Sequence, residues 1–216
     1  MPGRSRPLPT ARWRRCMPDT TNKTVVIVLA AGRGERFLAS GGTGAKLQAL
    51  LAGRSVLERT LAAVRASGLP WHRVDAGQGV HAGMGDSIAA GVRATADAAA
   101  WLILPGDLPL LRADTLRRLA AAPRELPVVV PVVQGRRGHP VRFSAPCGRD
   151  LMALTGARGA AAVVSAWGAT AWPLTDEGCT FDIDTLQDLQ RAERQLAAAG
   201  HLRGHNPSAL QALSIK

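Results

Sequence analysis

The sequence predicts an α/β protein with a mostly parallel sheet that is covered by helices on both faces. Short apolar runs alternate with segments of helical periodicity through most of the chain, which is typical of that class. The runs Val25–Leu29 and Ala99–Leu104 are apolar at every position, as expected for strands buried on both faces. Ligands bind such sheets at the carboxyl ends of the strands, so the loops that follow these runs are expected to converge.

The individual elements follow from the same patterns. In Ser55–Ala66, Leu57, Leu61 and Val64 lie on one helical face, and Gly68 ends the helix. The predicted strands are Val25–Leu29, Trp71–Ala76, Ala99–Leu104, Pro127–Val133, Val141–Ser144 and Thr170–Leu174. The predicted helices are Ser55–Ala66, a helix that follows Ile88 and ends near Ala96, Ala113–Ala121, Arg149–Leu154, Ala160–Ala166 and Leu186–Ala199.

Length and composition predict one folded domain with tails. A chain of 216 residues that is 46% hydrophobic can bury a substantial core, which we assign to residues 23–200. Residues 1–22 are rich in proline and arginine and are expected to form a disordered basic extension. Residues 201–216 are expected to form a loose tail. A start codon at Met17 would leave residues 1–16 outside the native protein.

The cysteines and the hydropathy pattern predict a cytoplasmic protein. Cys16, Cys147 and Cys179 are odd in number, widely spaced and without a C-x-x-C motif, which favours reduced thiols. No apolar run approaches the roughly 20 residues of a membrane helix. The basic N-terminus has no apolar segment typical of a secretory signal. We therefore expect no membrane partner.

A net charge of +11 raises the question of nucleic-acid binding. Residues 1–22 carry five arginines and one aspartate, so +4 of that charge lies in the extension. Tyrosine is absent and aromatic residues make up only 4% of the chain, which leaves few platforms for base stacking. Binding of anionic nucleotides explains the charge more simply, so no nucleic-acid partner is expected.

Val25–Lys46 has the sequence expected of a phosphate-binding loop. A strand leads into Gly32, Arg33 and Gly34, and glycines allow backbone N–H groups to approach a polyphosphate closely. The Rossmann fingerprint is excluded because Phe37 replaces its third glycine, and the P-loop because no serine or threonine follows Lys46. The alternative is an ordinary strand–loop–helix turn with solvated arginines.

Two carboxylates are candidate Mg²⁺ ligands. Asp107 follows the most apolar strand, and Asp184 is expected to approach the same edge from the other side. Mg²⁺ prefers hard oxygen ligands and leaves positions for phosphate and water. Asp182 is a rival ligand. Alternatively, Asp107 is a turn residue before a proline, and Asp184 caps the helix that contains Asp188.

Two further segments are candidate binding loops. In Gly83–Ser87 the glycines would admit a flat ligand, and Ser87 could bind that ligand or cap the next helix. In Gly135–Pro140 two adjacent arginines could hold an anionic acceptor bidentately. The alternative for the second segment is a solvated hairpin turn.

These segments resemble the motifs of the MobA-like nucleotidyltransferases. Leu29–Phe37 (LAAGRGERF) is similar to the family signature L-A-[AG]-G-x-[GS]-x-R-[MF], and Lys46 is its lysine after an insertion. Later motifs follow in the family's order at Gly83–Ser87, Leu104–Pro109, Gly135–Pro140 and Asp182–Leu189. The chain departs from the family by having leucine at 38 instead of glycine, Leu-Gln at 186–187 instead of Pro-Glu, and a shorter segment before residue 83.

The resemblance implies a three-layer, Rossmann-like nucleotide-diphospho-sugar transferase fold. The motif G-R-R-G-H-P at 135–140 is similar to the MocA-type molybdenum cofactor cytidylyltransferase branch. That branch transfers CMP from CTP to molybdopterin with Mg²⁺ and releases pyrophosphate. Ala31 agrees with this branch, since a methyl group there would favour a pyrimidine, whereas the guanylyl branch has L-A-G-G.

The resemblance also implies roles for individual residues. The implied catalytic residues are Arg36, Lys46 and Asp107, and the implied metal ligands are Asp107 and Asp184. The implied nucleotide-binding residues are Leu29, Ala30, Ala31, Gly32, Arg33, Gly34, Gly83, Gly85 and Ser87. The implied acceptor-binding residues are Arg136, Arg137 and His139. The implied partners are CTP, a molybdopterin-type acceptor and a molybdenum hydroxylase such as xanthine dehydrogenase. The alternatives are a GTP-dependent guanylyltransferase, a sugar-phosphate nucleotidyltransferase, and a non-catalytic nucleotide or cofactor chaperone.

Overall fold

A computed structural model describes residues 23–32, 34–75 and 83–204, and it confirms the predicted α/β class. The strands within these ranges are β1 (Thr24–Ala30), β2 (Leu50–Leu51), β3 (Arg54–Ser55), β4 (Trp71–Asp75), β5 (Ala100–Pro105), β6 (Val128–Val133), β7 (Arg136–Arg137), β8 (Val141–Ser144) and β9 (Ala169–Pro173). The helices are α1 (Glu35–Ala39), α2 (Val56–Ser67), α3 (Met84–Ala94), α4 (Ala113–Ala120), α5 (Gly148–Met152), α6 (Ala161–Trp167) and α7 (Leu186–Gly204). Arg33 and residues 1–22, 76–82 and 205–216 lie outside the described ranges.

The main sheet has the strand order β4–β1–β5–β8–β6–β7, and β9 also pairs with β6. β1 runs parallel to β4 and β5, and β6 runs parallel to β9. β8 is antiparallel to both of its neighbours, and β7 is antiparallel to β6. The sheet is therefore mixed but mostly parallel, as predicted. β2 and β3 form a separate two-stranded hairpin.

Helices cover both faces of the sheet, which gives the predicted three layers. Side chains alternate along β1, so Val26 and Val28 belong to one core, and Val25 and Ile27 belong to the other. Helices α2, α4 and α7 contribute to the first core, and α3, α5 and α6 contribute to the second. Burial on both faces explains why β5, and β1 after its first residue Thr24, are apolar.

Some helices begin and end where the local sequence predicts, and others do not. The Ser55 side chain caps α2 by accepting a hydrogen bond from the Glu58 amide. As predicted, Gly68 ends the helix, at φ 73°. Helix α3 begins at Met84, earlier than predicted, and the Ser87 hydroxyl donates to the carbonyl of Gly83 inside its first turn. The alternative in which Ser87 caps this helix is therefore wrong. The last helix continues past its predicted end to Gly204.

Several short elements were not predicted. They are α1, the hairpin β2–β3, and 3-10 turns at Lys46–Gln48, Ala145–Cys147 and Glu177–Thr180. Arg136 and Arg137, which were predicted to lie in a turn, form β7 against the end of β6. Among the described residues, none of the helices is long and apolar enough to cross a bilayer.

Candidate active site

Three loops meet at the carboxyl end of the parallel strands. Beyond β5, the amide of Gly106 donates to the carbonyl of Leu29 on β1, over 2.9 Å. The amide of Ile183 donates to the carbonyl of Asp107, over 3.0 Å. These backbone hydrogen bonds join the loop after β5 to β1 and to the segment before α7, so the predicted convergence is confirmed.

The converging loops enclose a cleft of about 730 Å³. Thirteen of the residues predicted from the sequence line it: Leu29, Ala31, Gly32, Gly34, Arg36, Lys46, Gly83, Ser87, Asp107, Arg136, Arg137, His139 and Asp184. Ala30 and Gly85 are not among its lining residues, and Arg33 lies outside the described residues. Residues that the sequence did not single out also line it, among them Glu35, Phe37, Leu47 and Thr180.

Lys46 lies at the centre of an ionic network in this cleft. Its Nζ donates to Oδ2 of Asp107 over 2.7 Å and to Oδ1 of Asp184 over 3.0 Å. Burial opposes the charge of Lys46, but attraction to and hydrogen bonds with both carboxylates outweigh burial and raise its pKa. Arg36, which is exposed, donates to Oδ2 of Asp184. The sequence predicted these four residues but not that the lysine would join both carboxylates.

Asp184 does not cap α7, because its neighbours take that role. The side chain of Asp188 accepts hydrogen bonds from the amide and the hydroxyl of Thr185, and Thr185 Oγ1 in turn accepts one from the Asp188 amide. The alternative role of Asp184 as a helix cap is therefore wrong. Both carboxylate oxygens of Asp184 instead accept hydrogen bonds in the cleft.

The two carboxylates have the chemistry to hold a divalent cation. Asp107 Oδ1 is buried and has no hydrogen-bond partner within the described structure, which is costly unless a cation or donor reaches it. No group of three or more His, Cys, Asp or Glu residues suited to a metal occurs in the described ranges. Two carboxylates that leave other positions to phosphate and water suit a hard divalent cation rather than a structural metal. Asp182 lines the cleft as well and is exposed.

Gly34 is required by the position of Lys46. It precedes α1 with φ 66°, a conformation that glycine adopts without strain. A Cβ atom added at Gly34 would lie 2.8 Å from Cβ of Lys46. The second glycine of the loop therefore allows the lysine to approach, in addition to any contact with phosphate.

The glycines at 83 and 85 pack against protein backbone. A Cβ atom at Gly83 would lie 2.4 Å from the carbonyl of Gly156, and one at Gly85 would lie 2.8 Å from the carbonyl of Thr155. The amide of Gly85 donates to the Gly156 carbonyl, and the Gly156 amide donates to Asp86. Sequence reasoning assigned these glycines to a ligand, because nothing local reveals a loop some 70 residues away. Nucleotide binding by Gly83 and Gly85 remains a prediction.

The segment Gly135–Pro140 forms one wall of the cleft. The amide of His139 donates to the carbonyl of Cys179 over 2.8 Å, and a Cβ at Gly138 would lie 2.4 Å from that oxygen. His139 is exposed where it lines the cleft. Loss of solvent around the ring nevertheless lowers the pKa of His139, and the attraction of Asp107 and Asp182 does not offset this effect. The imidazole is therefore mainly neutral at pH 7, and the positive charge of this wall comes from its two arginines.

A family model for the MobA-like NTP transferase domain matches residues 26–171. The chain therefore belongs to this family, whose members are nucleotidyltransferases. Asp107 lies inside the matched segment, and Asp184 lies beyond it. No curated protein matches the chain in sequence.

Solved structures of low sequence identity share the fold. A nucleotidyl transferase from Methanothermobacter thermautotrophicus is 21% identical, with a TM-score of 0.70, over 82% of this chain and 99% of its own. Molybdopterin-guanine dinucleotide biosynthesis protein A from Archaeoglobus fulgidus is 17% identical, with a TM-score of 0.61, over 81% and 99%. Rv0371c from Mycobacterium tuberculosis, in complex with manganese, is 21% identical, with a TM-score of 0.59, over 81% and 100%.

Proposed function

We propose that this nucleotidyltransferase transfers CMP from CTP to the phosphate of a molybdopterin-type acceptor and releases pyrophosphate. The observation that carries the proposal is the network in which Lys46 joins Asp107 to Asp184 beside a glycine loop. Cations and carboxylates held together at the end of a phosphate loop are the groups that phosphoryl transfer requires. A non-catalytic chaperone would not need two carboxylates held by one lysine.

The reaction needs no nucleophile from the protein. An oxygen of the acceptor phosphate attacks the α-phosphorus of CTP, and the bond from that phosphorus to the bridging oxygen of pyrophosphate breaks. The second pKa of a phosphate monoester is about 6, so the acceptor is already mostly dianionic at pH 7. Lys46 and Arg36 neutralise charge on the phosphates, and Asp107 and Asp184 would hold Mg²⁺. When bound, Mg²⁺ supplies further charge neutralisation at the phosphate oxygens.

A second cavity beside the cleft supports a fused-ring acceptor. This cavity, of about 630 Å³, shares Met84, Arg137 and His139 with the cleft and is otherwise lined largely by apolar residues. The apolar walls suit the flat rings of a pterin, and Arg137 lies where it can hold the terminal phosphate. A hydroxyl-rich sugar would find few hydrogen-bonding side chains there, so the cavity favours molybdopterin over a sugar phosphate. Arg136 lines the cleft but not this cavity.

Ala31 supports the choice of CTP. It lines the cleft at the end of β1, whereas its neighbour Ala30 does not. A methyl group at this position narrows the space beside the base, which favours a pyrimidine over a purine. Delivery of the product to a molybdenum hydroxylase such as xanthine dehydrogenase, and a cytoplasmic location in keeping with the buried free thiols of Cys147 and Cys179, belong to the same proposal.

The test is a turnover assay that compares CTP, GTP, ATP and UTP with molybdopterin and Mg²⁺, read as pyrophosphate release. We expect CTP to be preferred. Ala31→Gly is expected to raise the GTP-to-CTP ratio by about tenfold, the size of effect that one methyl group has in a binding pocket. Ala30→Gly is the matched control and is expected to leave the ratio unchanged.

Other outcomes point to the alternatives. Preference for GTP by the unmodified protein contradicts the cytidylyl assignment and supports a guanylyltransferase. Turnover with a sugar phosphate but not with molybdopterin contradicts the acceptor. Tight binding of nucleotide or cofactor with no pyrophosphate release from any of the four nucleotides supports the chaperone.

A further inference from the structure

Lys46 occupies the carboxylate oxygens that a metal ion would use. Its Nζ lies 2.7 Å from Asp107 Oδ2 and 3.0 Å from Asp184 Oδ1, and the lysine side chain retains only 11% of its accessible surface. Arg36 contacts the remaining oxygen of Asp184. Three of the four carboxylate oxygens therefore already accept hydrogen bonds from cations of the chain itself.

The charges of this cluster balance without a metal ion. Two cations, Lys46 and Arg36, offset two carboxylates. A divalent cation that binds both carboxylates adds two positive charges beside an ammonium group that is largely shielded from water. Repulsion between cations at such distances is strong when solvent does not screen it. A triphosphate reverses this balance, because its negative charges attract both side chains away from the carboxylates.

We propose that Lys46 is a built-in competitor of the metal ion, so that Asp107 and Asp184 bind a divalent cation tightly only when nucleotide is also bound. The proposal rests on the assignment of these two carboxylates as metal ligands under the proposed function. Lys46 exchanges its carboxylate contacts for the phosphates when the nucleotide and the metal enter together. Because linkage is reciprocal, the metal raises nucleotide affinity by the factor by which nucleotide raises metal affinity.

The test measures binding without the acceptor, so that no turnover occurs. Electron paramagnetic resonance of free Mn²⁺ gives the Kd of the protein for the metal alone. Lys46→Met and Lys46→Gln are each expected to lower this Kd by about tenfold or more, because each removes the competing charge. Lys23→Met is the matched control: it removes the same charge from an exposed residue just before β1, at the opposite edge of the sheet, and is expected to leave the Kd unchanged.

Equilibrium dialysis of labelled CTP with and without Mn²⁺ completes the test. Mn²⁺ is expected to tighten CTP binding by about tenfold or more in the unmodified protein, and by much less in Asp107→Asn. If neither Lys46 variant binds Mn²⁺ more tightly while Mn²⁺ still tightens CTP binding through Asp107, the competitor role is wrong and the proposed function survives. If Mn²⁺ has no effect on CTP binding by the unmodified protein, both the metal assignment and the competitor role are wrong.

Discussion

Two cations with little access to solvent, Lys46 and Arg142, lie in different regions of the same domain and differ in what surrounds them. Lys46 lies in the cleft at the carboxyl edge of the sheet and contacts two carboxylates. Arg142 lies on β8 with 1% of its surface accessible, and its Nη1 donates to the carbonyl of Leu126. Its Nε is buried and has no hydrogen-bond partner within the described structure.

These different surroundings shift the pKa values of the two cations in opposite directions. Burial lowers the pKa of Arg142, Arg124 lowers it further, and the attraction of Cys147 and Glu125 does not compensate. Burial acts on Lys46 in the same sense, but two carboxylates reverse the result. Burial alone thus does not identify a functional cation. What distinguishes the site is compensation by acidic residues that the chain brings together from separate loops.

The largest expected effect is a loss of turnover when one carboxylate that contacts Lys46 is neutralised. Asp107→Asn keeps the shape of the side chain but removes its charge. Turnover is expected to fall by about 10³-fold or more, because several kcal/mol of charge stabilisation is lost at the phosphates. Pyrophosphate release at saturating Mg²⁺ measures the loss. Asp75→Asn, on the edge strand β4, is the control. Near-normal turnover by Asp107→Asn would show that the site is misassigned.

A smaller loss of turnover is expected from a substitution that shifts Lys46 but leaves the lysine itself in the chain. Gly34→Ala introduces a Cβ beside Lys46, whereas Gly53→Ala, at φ 77°, introduces one into open space. Both variants are expected to lose about 1 kcal/mol of unfolding free energy, because alanine is strained at positive φ. Only Gly34→Ala is expected to lose turnover, by about tenfold to a hundredfold. Equal turnover in the two variants would contradict a positioning role for the glycine.

The raised pKa of Lys46 predicts how the contribution of this residue to the unfolding free energy changes with pH. The pKa of Lys46 is raised in the folded state, so its stabilising contribution is complete below the ordinary lysine value of about 10.4 and is lost as pH rises through the folded value. The difference in unfolding free energy between the unmodified protein and Lys46→Met is expected to be constant from pH 7 to 9 and to shrink above pH 10.4 or so. Urea denaturation at each pH measures it. A difference that grows above pH 10 would contradict the sign of the shift.

Arg142→Met provides the contrast to Lys46→Met. It removes the hydrogen bond to Leu126 and is expected to cost about 1–3 kcal/mol of unfolding free energy, because the carbonyl loses its donor. Turnover is expected to stay within about twofold, since no substrate contact is lost. A large loss of turnover with normal stability would mean that Arg142 acts on the site and that the comparison fails.

The smallest expected effect is the slow alkylation of two buried thiols, Cys179 at the cleft and Cys147 near Arg142. Burial, together with Asp176, raises the pKa of Cys179 to about 12, and burial also raises the pKa of Cys147 despite the nearby Arg142. In a Cys16→Ser variant, neither thiol is expected to react appreciably with iodoacetamide at pH 8 until denaturant is added. Mass spectrometry of the labelled protein measures this. Rapid native labelling at Cys147 would show that the charge of Arg142 prevails over burial.

The sequence predicted most of the long elements, because their patterns are local or periodic. β8 was predicted to the residue, and α2 followed from an apolar stripe and a terminal glycine. The hairpin β2–β3 was missed because each of its strands has only two residues, too few for any period to be visible. Most of the predicted site residues line the cleft, because loops at the carboxyl ends of parallel strands must meet.

Most of the missed features of the site depend on contacts between distant segments. Nothing near Gly83 indicates the approach of Gly156, so a packing glycine and a ligand-binding glycine have the same local sequence. The role of Thr185 and Asp188 in capping α7 freed Asp184, but several neighbouring polar residues could have supplied that cap. The position of Lys46 between two carboxylates depends on three loops at once, and no single motif encodes that arrangement.

The hydrogen bond between Ile183 and Asp107 joins the cleft to one of the last segments of the domain to be synthesised. Residues from both ends of the domain complete the site: Lys46 is synthesised early, and Asp184 follows β9, the last strand in the chain. A ribosome-bound chain that ends within β9 contains the glycine loop and one carboxylate but lacks the second. A nascent chain of that length therefore lacks the network of Lys46, Asp107 and Asp184, and the cleft is complete only once nearly all of the domain has left the ribosome.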